Sequence, residues 1–391
     1  MQGLLLQMRR ALLATLLMLA PATAVLAQKL VAGADGQPLS LANAVARAQD
    51  GDTIELLPGD YRGGLVIEKR KLTLRGVGKV TIKGEGKLTG NGDGKALWTV
   101  RGGDVTIDNI RFSGARAADG GGAGVRQEGG RLTLRQCQLF DNEYGLFAIN
   151  DERAEVAIEN SVFGLAPKVV GGLHHLVSVG RINKLSVTGS RFQQGFEGHL
   201  IKTRARENFI AYNMIHDGIR GGASYEIEIA EGGLATVIGN VIGQGAESRN
   251  PTVVAYGTDG RGWDKNRLLL AHNTLIHNGW MPAWFLRSFA DRLPQGVELH
   301  AVNNLLVGPG VFWLGASGNF AGNRQASGRM LRDIETYGFE LPPGSMWRSS
   351  GVDPRQIAGH DLSPKREFEW PVGTRELPTG LNSWSPGAYQ R

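Results

Sequence analysis

Two neighbouring strand-like segments of the sequence carry charged side chains at alternate positions. HLIKTRAR presents Lys202 and Arg204, and YEIEIAEGG presents Glu226 and Glu228. Successive side chains of a strand point to opposite faces, so each pair shares one face. If the two segments lie side by side as parallel strands, two cations and two carboxylates meet on one outer surface.

A third segment, TVVAYGTDG, extends this cluster by one more strand. If its side chains alternate in step with those of the first two segments, Val254 and Tyr256 are predicted to point outward. The imidazole of His199 is predicted to lie at the edge of the cluster where the chain enters it. Lysine, arginine, tyrosine, histidine and glutamate are the side chains that move protons and stabilise charge in enzymes. We therefore predict catalytic roles for Lys202, Arg204, Glu226, Glu228, Tyr256 and His199.

Such a cluster suits several reactions on acidic polysaccharides. A lyase must neutralise a uronate carboxylate so that its α-proton becomes acidic, and a base such as Tyr256 or His199 then takes the proton. A hydrolase needs two carboxylates beside the glycosidic bond; residues two apart on one strand face are separated by roughly 6.5–7 Å, near the lower limit for an inverting pair. A uronate epimerase would use nearly the same groups as a lyase.

Calcium could supply part of the charge in the lyase reaction, with Glu197, Glu226 and Glu228 as its predicted ligands. The same carboxylates also have a purely structural explanation, because Lys or Arg beside Glu on adjacent strands forms a cross-strand ion pair. The density of ionisable groups favours the functional interpretation over a structural charge ladder.

Further residues around the cluster are predicted to bind substrate. Some lie on or beside the same surface in neighbouring strands, and the tryptophans lie in corner loops, where indole rings suit stacking on sugars. The predicted set is His175, Asn150, Trp263, Trp280, Trp284 and Arg287.

The strands that would position these groups belong to a repeat of irregular length. Alternating apolar residues lead to a polar residue and then to a large apolar one, at intervals of 23 to 33 residues. Period-two alternation predicts strands, and a repeat of this length predicts a solenoid with about three short strands per coil. The polar column is predicted as Ile110, Cys137, Ser161, Ser190, Asn213, Asn240, Asn273 and Asn303, and the apolar column as Phe112, Leu139, Phe163, Phe192, Ile215, Ile242, Leu275 and Leu305.

With this ladder the chain resembles the right-handed parallel β-helix of pectate-lyase-like secreted proteins. An amphipathic helix near 40–49 feeding the strand GDTIEL, and a tail ending in SPGAYQ, carry the rest of the resemblance. The resemblance implies an all-β, single-stranded right-handed parallel β-helix over 28–317, with a capping helix at its N-terminus and an irregular C-terminal cap or tail over 318–391. Members of this superfamily include lyases, hydrolases, epimerases and non-catalytic surface proteins.

A shorter stretch, EGHLIKTRARENFIAYN, is similar to the segment E-x-E-I-I-S-N-K of alginate and chondroitin β-helix lyases. The similarity would make Glu197 the first calcium-binding glutamate and would put Arg204 where the catalytic lysine stands. His199 replaces the second glutamate, and Ala230 falls near the position of the family's arginine. These departures make the stretch a guide to the location of the site.

The first 27 residues are typical of a secretory signal peptide. Arg9 and Arg10 precede a short apolar run that ends in VLA, which predicts cleavage before Gln28 and a periplasmic or secreted protein with no membrane span after cleavage. One cysteine excludes a disulfide framework. The absence of a dense Lys/Arg run with aromatics argues against nucleic-acid binding.

From these features we expect an exported polysaccharide-active enzyme, with a lyase on a uronate-containing polysaccharide ahead of a hydrolase or an epimerase. A non-catalytic carbohydrate-binding or cell-surface solenoid is the remaining alternative. The expected partner is the polysaccharide, the expected cofactor is at most calcium, and the expected oligomeric state is a monomer.

Overall fold

The protein, described by a computed structural model over residues 27–34, 39–88, 94–315 and 317–390, is a stack of parallel strands. The larger sheet has two adjacent columns of strands, and the long strands β4 and β6 run through both. Its strands are β1 (Lys29–Ala32), β2 (Thr53–Leu56), β4 (Leu65–Gly76), β6 (Ala96–Asp108), β8 (Ala123–Gln127), β9 (Arg131–Arg135), β11 (Tyr144–Ala148), β12 (Asp151–Glu159), β14 (Val177–Val179), β15 (Ile182–Thr188), β17 (Ile201–Thr203), β18 (Glu207–Ala211), β20 (Ile227–Ile229), β21 (Leu234–Ile238), β23 (Thr252–Tyr256), β24 (Arg267–Ala271), β26 (Ala283–Ser288), β27 (Glu298–Val302), β29 (Gly310–Leu314) and β30 (Asn319–Ala321).

A second parallel sheet closes each coil on the other side. Its strands are β3 (Gly59–Arg62), β5 (Val80–Lys83), β7 (Arg111–Ser113), β10 (Gln138–Phe140), β13 (Val162–Gly164), β16 (Arg191–Gln193), β19 (Met214–His216), β22 (Val241–Gln244), β25 (Thr274–His277), β28 (Leu305–Val307) and β31 (Arg324–Ala326). From β8 onward each coil therefore contributes one strand to the front column of the larger sheet (β8, β11, β14, β17, β20, β23, β26, β29), one to its second column and one to the second sheet. The predicted right-handed parallel β-helix is confirmed.

The core consists of apolar side chains stacked on their counterparts in neighbouring coils. In the second sheet Phe163 pairs with Phe192, and the two rings stack with centroids 5.1 Å apart. The predicted apolar column is confirmed as far as Leu275, but its last member is Leu306, because Leu306 rather than Leu305 pairs with Leu275. Burial of these rows supplies the main stabilising free energy of the coil.

A buried polar ladder runs beside this core. Asn240 shows the pattern: its Oδ1 accepts the backbone N–H of Asn213, and its Nδ2 donates to the carbonyl of Ile210 and to Oδ1 of Asn273. The ladder continues through Asn304, whose Oδ1 accepts the N–H of Asn273. The prediction of Asn303 as the rung is therefore wrong by one residue.

The turn that carries the ladder explains this error. This turn joins the second column to the second sheet and has two residues. The first residue has a positive φ, and the second carries the ladder side chain. In the last predicted rung, Asn303 (φ 54°) is the first residue and Asn304 is the second. Asparagine tolerates the left-handed conformation better than most residues. The pair Asn-Asn therefore fits both places, and the sequence does not decide which one is the rung.

The two ends of the chain pack differently against the stack. Helix α1 (Leu41–Arg47), which begins at the Ser40 cap, contacts β1 and β2 at the N-terminal end, as predicted. The coils continue to Ala326, past the predicted boundary at 317. The tail then lies along the side of the stack: Phe339, Leu341 and Phe368 pack on the outer face of the second sheet, and a short hairpin, β32 (Arg366–Phe368) and β33 (Thr374–Glu376), belongs to it.

The predicted signal peptide, 1–27, lies outside the described residues except for its last residue. Within the described part of the chain, no helix is long and apolar enough to cross a membrane.

Replacing Asn240 by Ala should destabilise the fold without changing its apolar core. The substitution leaves the N–H of Asn213 and the carbonyl of Ile210 without their buried partner, at a cost of about 2–4 kcal/mol in the free energy of unfolding. Asn240→Ser should cost less, because Ser190 holds an equivalent rung and its hydroxyl accepts the N–H of Ser161. Urea unfolding of the two variants measures both changes, and equal stabilities for Ala and wild type would show that the ladder contributes nothing.

Candidate functional site

The predicted cluster lies on the outer face of the front column. The strand register places Lys202 beside Glu228, then Ala255 and then Arg287 along the axis of the stack. Loops on both sides of this column, at the turns before and after each strand, form walls around the central residues. Lys202 and Glu228 are therefore much more buried than charged residues on an open sheet, with 16% and 5% of their side chains exposed.

Glu228 is the centre of the contacts in this cluster. Its Oε2 lies 2.7 Å from Nζ of Lys202 and 3.2 Å from Nε2 of His199, and its Oε1 accepts a 2.6 Å hydrogen bond from the hydroxyl of Thr258. Burial acts to raise the pKa of Glu228, but the hydrogen bond from His199 and the charges of His199 and Lys202 outweigh it and hold the pKa well below its usual range. Glu228 is therefore a carboxylate at neutral pH.

His199 belongs to a row of rings that follows the axis of the stack. Its ring centroid lies 4.6 Å from that of His175 and 4.8 Å from that of Tyr225. Nδ1 of His199 accepts the backbone N–H of Tyr225, so a neutral imidazole carries its proton on Nε2, toward Glu228. With Nδ1 accepting from Tyr225 and Nε2 facing the carboxylate of Glu228, His199 has no free nitrogen to act as the predicted base.

His175 supports His199 from the preceding coil. Its Nδ1 accepts the backbone N–H of His199 at 2.8 Å. Burial, and then the charge of His199, lower the pKa of His175 well below its ordinary value. His175 is thus a neutral, half-buried ring in the wall beside Glu228, with the ring of Tyr144 on its other side.

A second ionic network joins the predicted cation Arg204 to the far wall. Its guanidinium lies 2.7 Å from Asp259, and its Nε lies 3.7 Å from Glu231. Arg181 reaches the same Glu231 from the preceding coil. Arg204 is already paired with Asp259 of the loop that carries Thr258 and lies near Glu231 of the loop after β20.

Trp263 is part of this wall and is not an exposed stacking platform. The guanidiniums of Arg181 and Arg206 lie 3.9 Å and 4.8 Å from its ring centroid, its Nε1 donates to the carbonyl of Arg204, and the side chain is buried. The predicted stacking of sugar on Trp263 would require these cations to move. The structure instead uses the indole to fix the loop 257–266.

Glu226 differs most from its predicted position. It lies just before β20 in register with the core residue Val253, its side chain is completely buried, and its Oε2 accepts a hydrogen bond from Gln244. Burial, and then the nearby charge of Asp217, raise the pKa of Glu226 well above its ordinary value. The prediction that Glu226 faces the site is wrong, and its carboxyl group is neutral.

Tyr256 lies inside the coil. The register pairs it with Ile229 and pairs Val254 with Ile227, so both side chains point inward, and the Tyr256 hydroxyl donates to the carbonyl of Gly233. The prediction placed this strand one residue out of phase, which reverses the face of every side chain. Tyr256 is a core residue with no path to the substrate, and it is withdrawn as a catalytic group.

The remaining predicted binding residues are divided among several places. Arg287 lies on the predicted column, with its guanidinium 4.6 Å from the ring of Phe289. Asn150 does not lie on it: Phe147 occupies that position, and Oδ1 of Asn150 accepts the N–H of Arg181 at the next turn. The two other tryptophans are Trp280, which is 86% exposed on the loop before β26, and Trp284, which is half-buried within β26.

The three glutamates predicted as calcium ligands do not converge. Glu197 accepts the N–H of Gly171, Glu226 is enclosed, and Glu228 contacts Lys202. Over the ranges that the structure describes, no group of three or more Asp, Glu, His or Cys side chains is arranged to hold a metal ion. As placed, these residues do not fit a calcium site, and no step below uses one.

Sequence reasoning missed Thr258, Asp259 and Glu231, which complete the cluster. All three follow a front-column strand directly, in the runs GTDG and AEGG. Polar residues just past the ends of parallel strands of one sheet are brought to one edge, and that position was the available signal.

Comparisons with known proteins agree with this architecture. No protein-family model matches the sequence, and no curated protein does. Among solved structures, the crystal structure of pectate lyase Pel9A superposes with a TM-score of 0.64 at 14% identity, over 93% of this chain and 96% of that one. The chain shares the parallel β-helix fold of that lyase. A mutant of the PL6-family alginate lyase AlyGC also matches, with a TM-score of 0.50 at 14% identity, over 76% of this chain and 40% of that one.

Replacing Glu226 by Gln should leave the protein folded and change its response to pH. Because the pKa of Glu226 is raised in the folded protein, the neutral form of its carboxyl group stabilises the fold. This stabilisation is complete below about pH 4.5, the ordinary pKa of a glutamate, and is lost as the pH rises through the raised pKa. Gln cannot ionise, so Glu226→Gln should flatten the fall in unfolding free energy with rising pH. Urea unfolding over a pH series gives the comparison, and an unchanged pH profile would contradict the burial assigned to Glu226.

Proposed function

We propose that the protein is an exported lyase that cleaves an acidic, uronate-containing polysaccharide on the front column of the β-helix. The observation that carries this proposal is the contact of Lys202 with Glu228 in a walled position, with His199 and Thr258 as further donors. Two solved lyases with the same fold support the reaction class. The apolar run near the N-terminus supports export.

The chemistry begins with neutralisation of the substrate carboxylate. A uronate carboxylate entering the groove competes with Glu228 for the ammonium group of Lys202. When Lys202 binds the substrate, Glu228 loses one of the charges that lower its pKa and gains a nearby negative charge. Both changes raise the pKa of Glu228, so substrate binding converts it from a paired anion into a general base.

Elimination then breaks the C5–H and C4–O4 bonds and forms the C4=C5 double bond and an O4–H bond. Glu228 takes the proton from C5, the electron pair of the C–H bond forms the C4=C5 double bond, and the C4–O4 bond breaks. The leaving oxygen receives the proton held by Glu228, so no water, oxidant or reductant is consumed. His199 and Thr258 hold the carboxyl group in place during the transfer.

Lys202→Met should abolish elimination while the coil stays folded. Loss of a positioned charge and of the change in pKa at Glu228 should lower kcat/KM by about 100-fold or more. A panel of uronate polymers is assayed by the absorbance of the new double bond, with and without a chelator because calcium dependence stays a prediction. Lys184→Ala is the matched control, because this lysine lies on the second column beside Glu155 and Glu207.

Glu228→Gln should give a loss similar to that of Lys202→Met, since the amide is a poor base. If Lys184→Ala also lost activity, the loss in Lys202→Met would reflect the net charge of the protein and not a specific role of the site. Reducing ends without the double-bond absorbance would replace the lyase by a hydrolase, and full activity in both site variants would end the proposal.

Glycan binding without cleavage is the second candidate function. It is favoured by the pairing of Arg204 with Asp259, which leaves a closed ionic network rather than a free cation at that position. A wild-type protein that binds an acidic polymer but forms no product in the panel would support this candidate.

A further inference from the structure

A large cavity lies on a different face of the molecule from the front column. Its floor is the outer face of the second sheet, at Arg111, Ser113 and Gln193, and its walls are the corner loops that lead from this sheet back to the front column. Tyr337 of the tail closes one side. The cavity volume is about 1380 Å³, larger than the roughly 300–1,000 Å³ of a typical small-molecule pocket, and neither Lys202 nor Glu228 lines it.

Three cations of this cavity have no carboxylate partner among the residues that the structure describes. They are Arg111, whose guanidinium lies 5.2 Å from the ring centroid of Phe140, and the exposed residues Lys168 and Arg220. In the site cluster, by contrast, the ammonium group of Lys202 and the guanidinium of Arg204 are each within ion-pair distance of a carboxylate. The cavity therefore has positive charge available for a ligand.

Most carboxylates of the cavity are already engaged. Asp141 pairs with Arg116, Glu197 lies 3.9 Å from Arg249 of the same lining, and Asp217 accepts the backbone N–H groups of Gly195 and Ala223. Glu247 also lines the cavity and is exposed. Among the described residues Asp217 and Glu247 have no cationic partner, so the three unpaired cations exceed the unpaired carboxylates by one, a small positive balance that favours an anionic ligand.

The uncharged lining has the composition of a sugar site. Rings of Phe196 and Tyr337 and the exposed side chain of Val170 offer surfaces for the C–H faces of pyranose rings. Amides of Gln193 and Asn250 face the same space and suit hydroxyl groups. A small inorganic anion would use the cations but neither the rings nor the length of the cavity.

We propose that this cavity is a second binding site for an acidic oligosaccharide, separate from the site on the front column. It shares with the proposed function only the class of substrate. A site of this kind holds the polymer beside the catalytic column and raises the effective concentration of the chain there.

Binding measurements on the full chain test the proposal. Isothermal titration uses saturated oligosaccharides of galacturonate, mannuronate, guluronate and glucuronate, in a Lys202→Met background that prevents turnover. Arg111→Ala with Arg220→Ala should weaken binding of the preferred oligosaccharide by about 100-fold, since each charge-assisted contact contributes roughly tenfold. Carboxyl-reduced forms of the same oligosaccharides should bind weakly to every variant.

The matched control is Arg153→Ala, because Arg153 is 92% exposed and contacts only Asp151 of its own strand among the described residues. Lys168→Glu, on an exposed loop, provides a second cavity variant if the loss of Arg111 disturbs folding. Equal affinities for the wild type, the double variant and Lys168→Glu would overturn the proposal, as would equal binding of acidic and reduced oligosaccharides.

The outcomes separate this site from the proposed reaction. If glycan binding depends on Arg111 and Arg220 but the wild type forms no elimination product, the second binding site is supported and the proposed lyase activity is rejected. If the wild type forms the elimination product but the cavity variants bind glycan as well as the wild type does, the lyase activity is supported and the second binding site is rejected.

Discussion

Register between successive coils is the constraint on which the rest of the molecule depends. It is fixed at the two-residue turn between the second column and the second sheet, where each ladder side chain bonds the backbone of its neighbours. The asparagine side chains of the ladder are buried, so any slip in register would leave polar groups without hydrogen-bond partners. The front column keeps a register of its own, which places Lys202 beside Glu228 in the next coil.

The surroundings of a carboxylate, rather than its place on the strand, decide its chemistry here. Glu226 and Glu228 are two residues apart, yet one is enclosed with Gln244 and the other contacts Lys202. Enclosure without a cation keeps the first neutral, and a cation beside the second keeps it ionised. Two carboxylates of one short segment thus serve as a structural acid and a candidate base.

Much of this arrangement follows from the sequence alone. Alternation in YEIEIA and IKT sets the phase of those strands, so the contact of Lys202 with Glu228 could be predicted from spacing. The strand TVVAY is apolar throughout and contains no such alternation, so the phase of Tyr256 was open and was assigned incorrectly. Asn-Asn at the last rung was ambiguous for a comparable reason.

Other features depend on contacts that local pattern does not encode. Glu226 is buried beside Gln244 at the end of β22, and the packing of Arg181 on Trp263 joins residues that are far apart in the chain. These contacts form the walls of the site. The strands fix its floor, and long-range packing decides which groups remain accessible.

The three corners of each coil differ in their freedom to change. From β6 onward the ladder corner has two residues in every coil, whereas the corner before the front column ranges from two residues after β28 to twelve after β13. Insertions are therefore tolerated only where they project over the groove or the cavity. Natural variation can reshape ligand choice at those corners without touching the scaffold, so grafting corner loops between proteins of this architecture is a practical route to new glycan specificities.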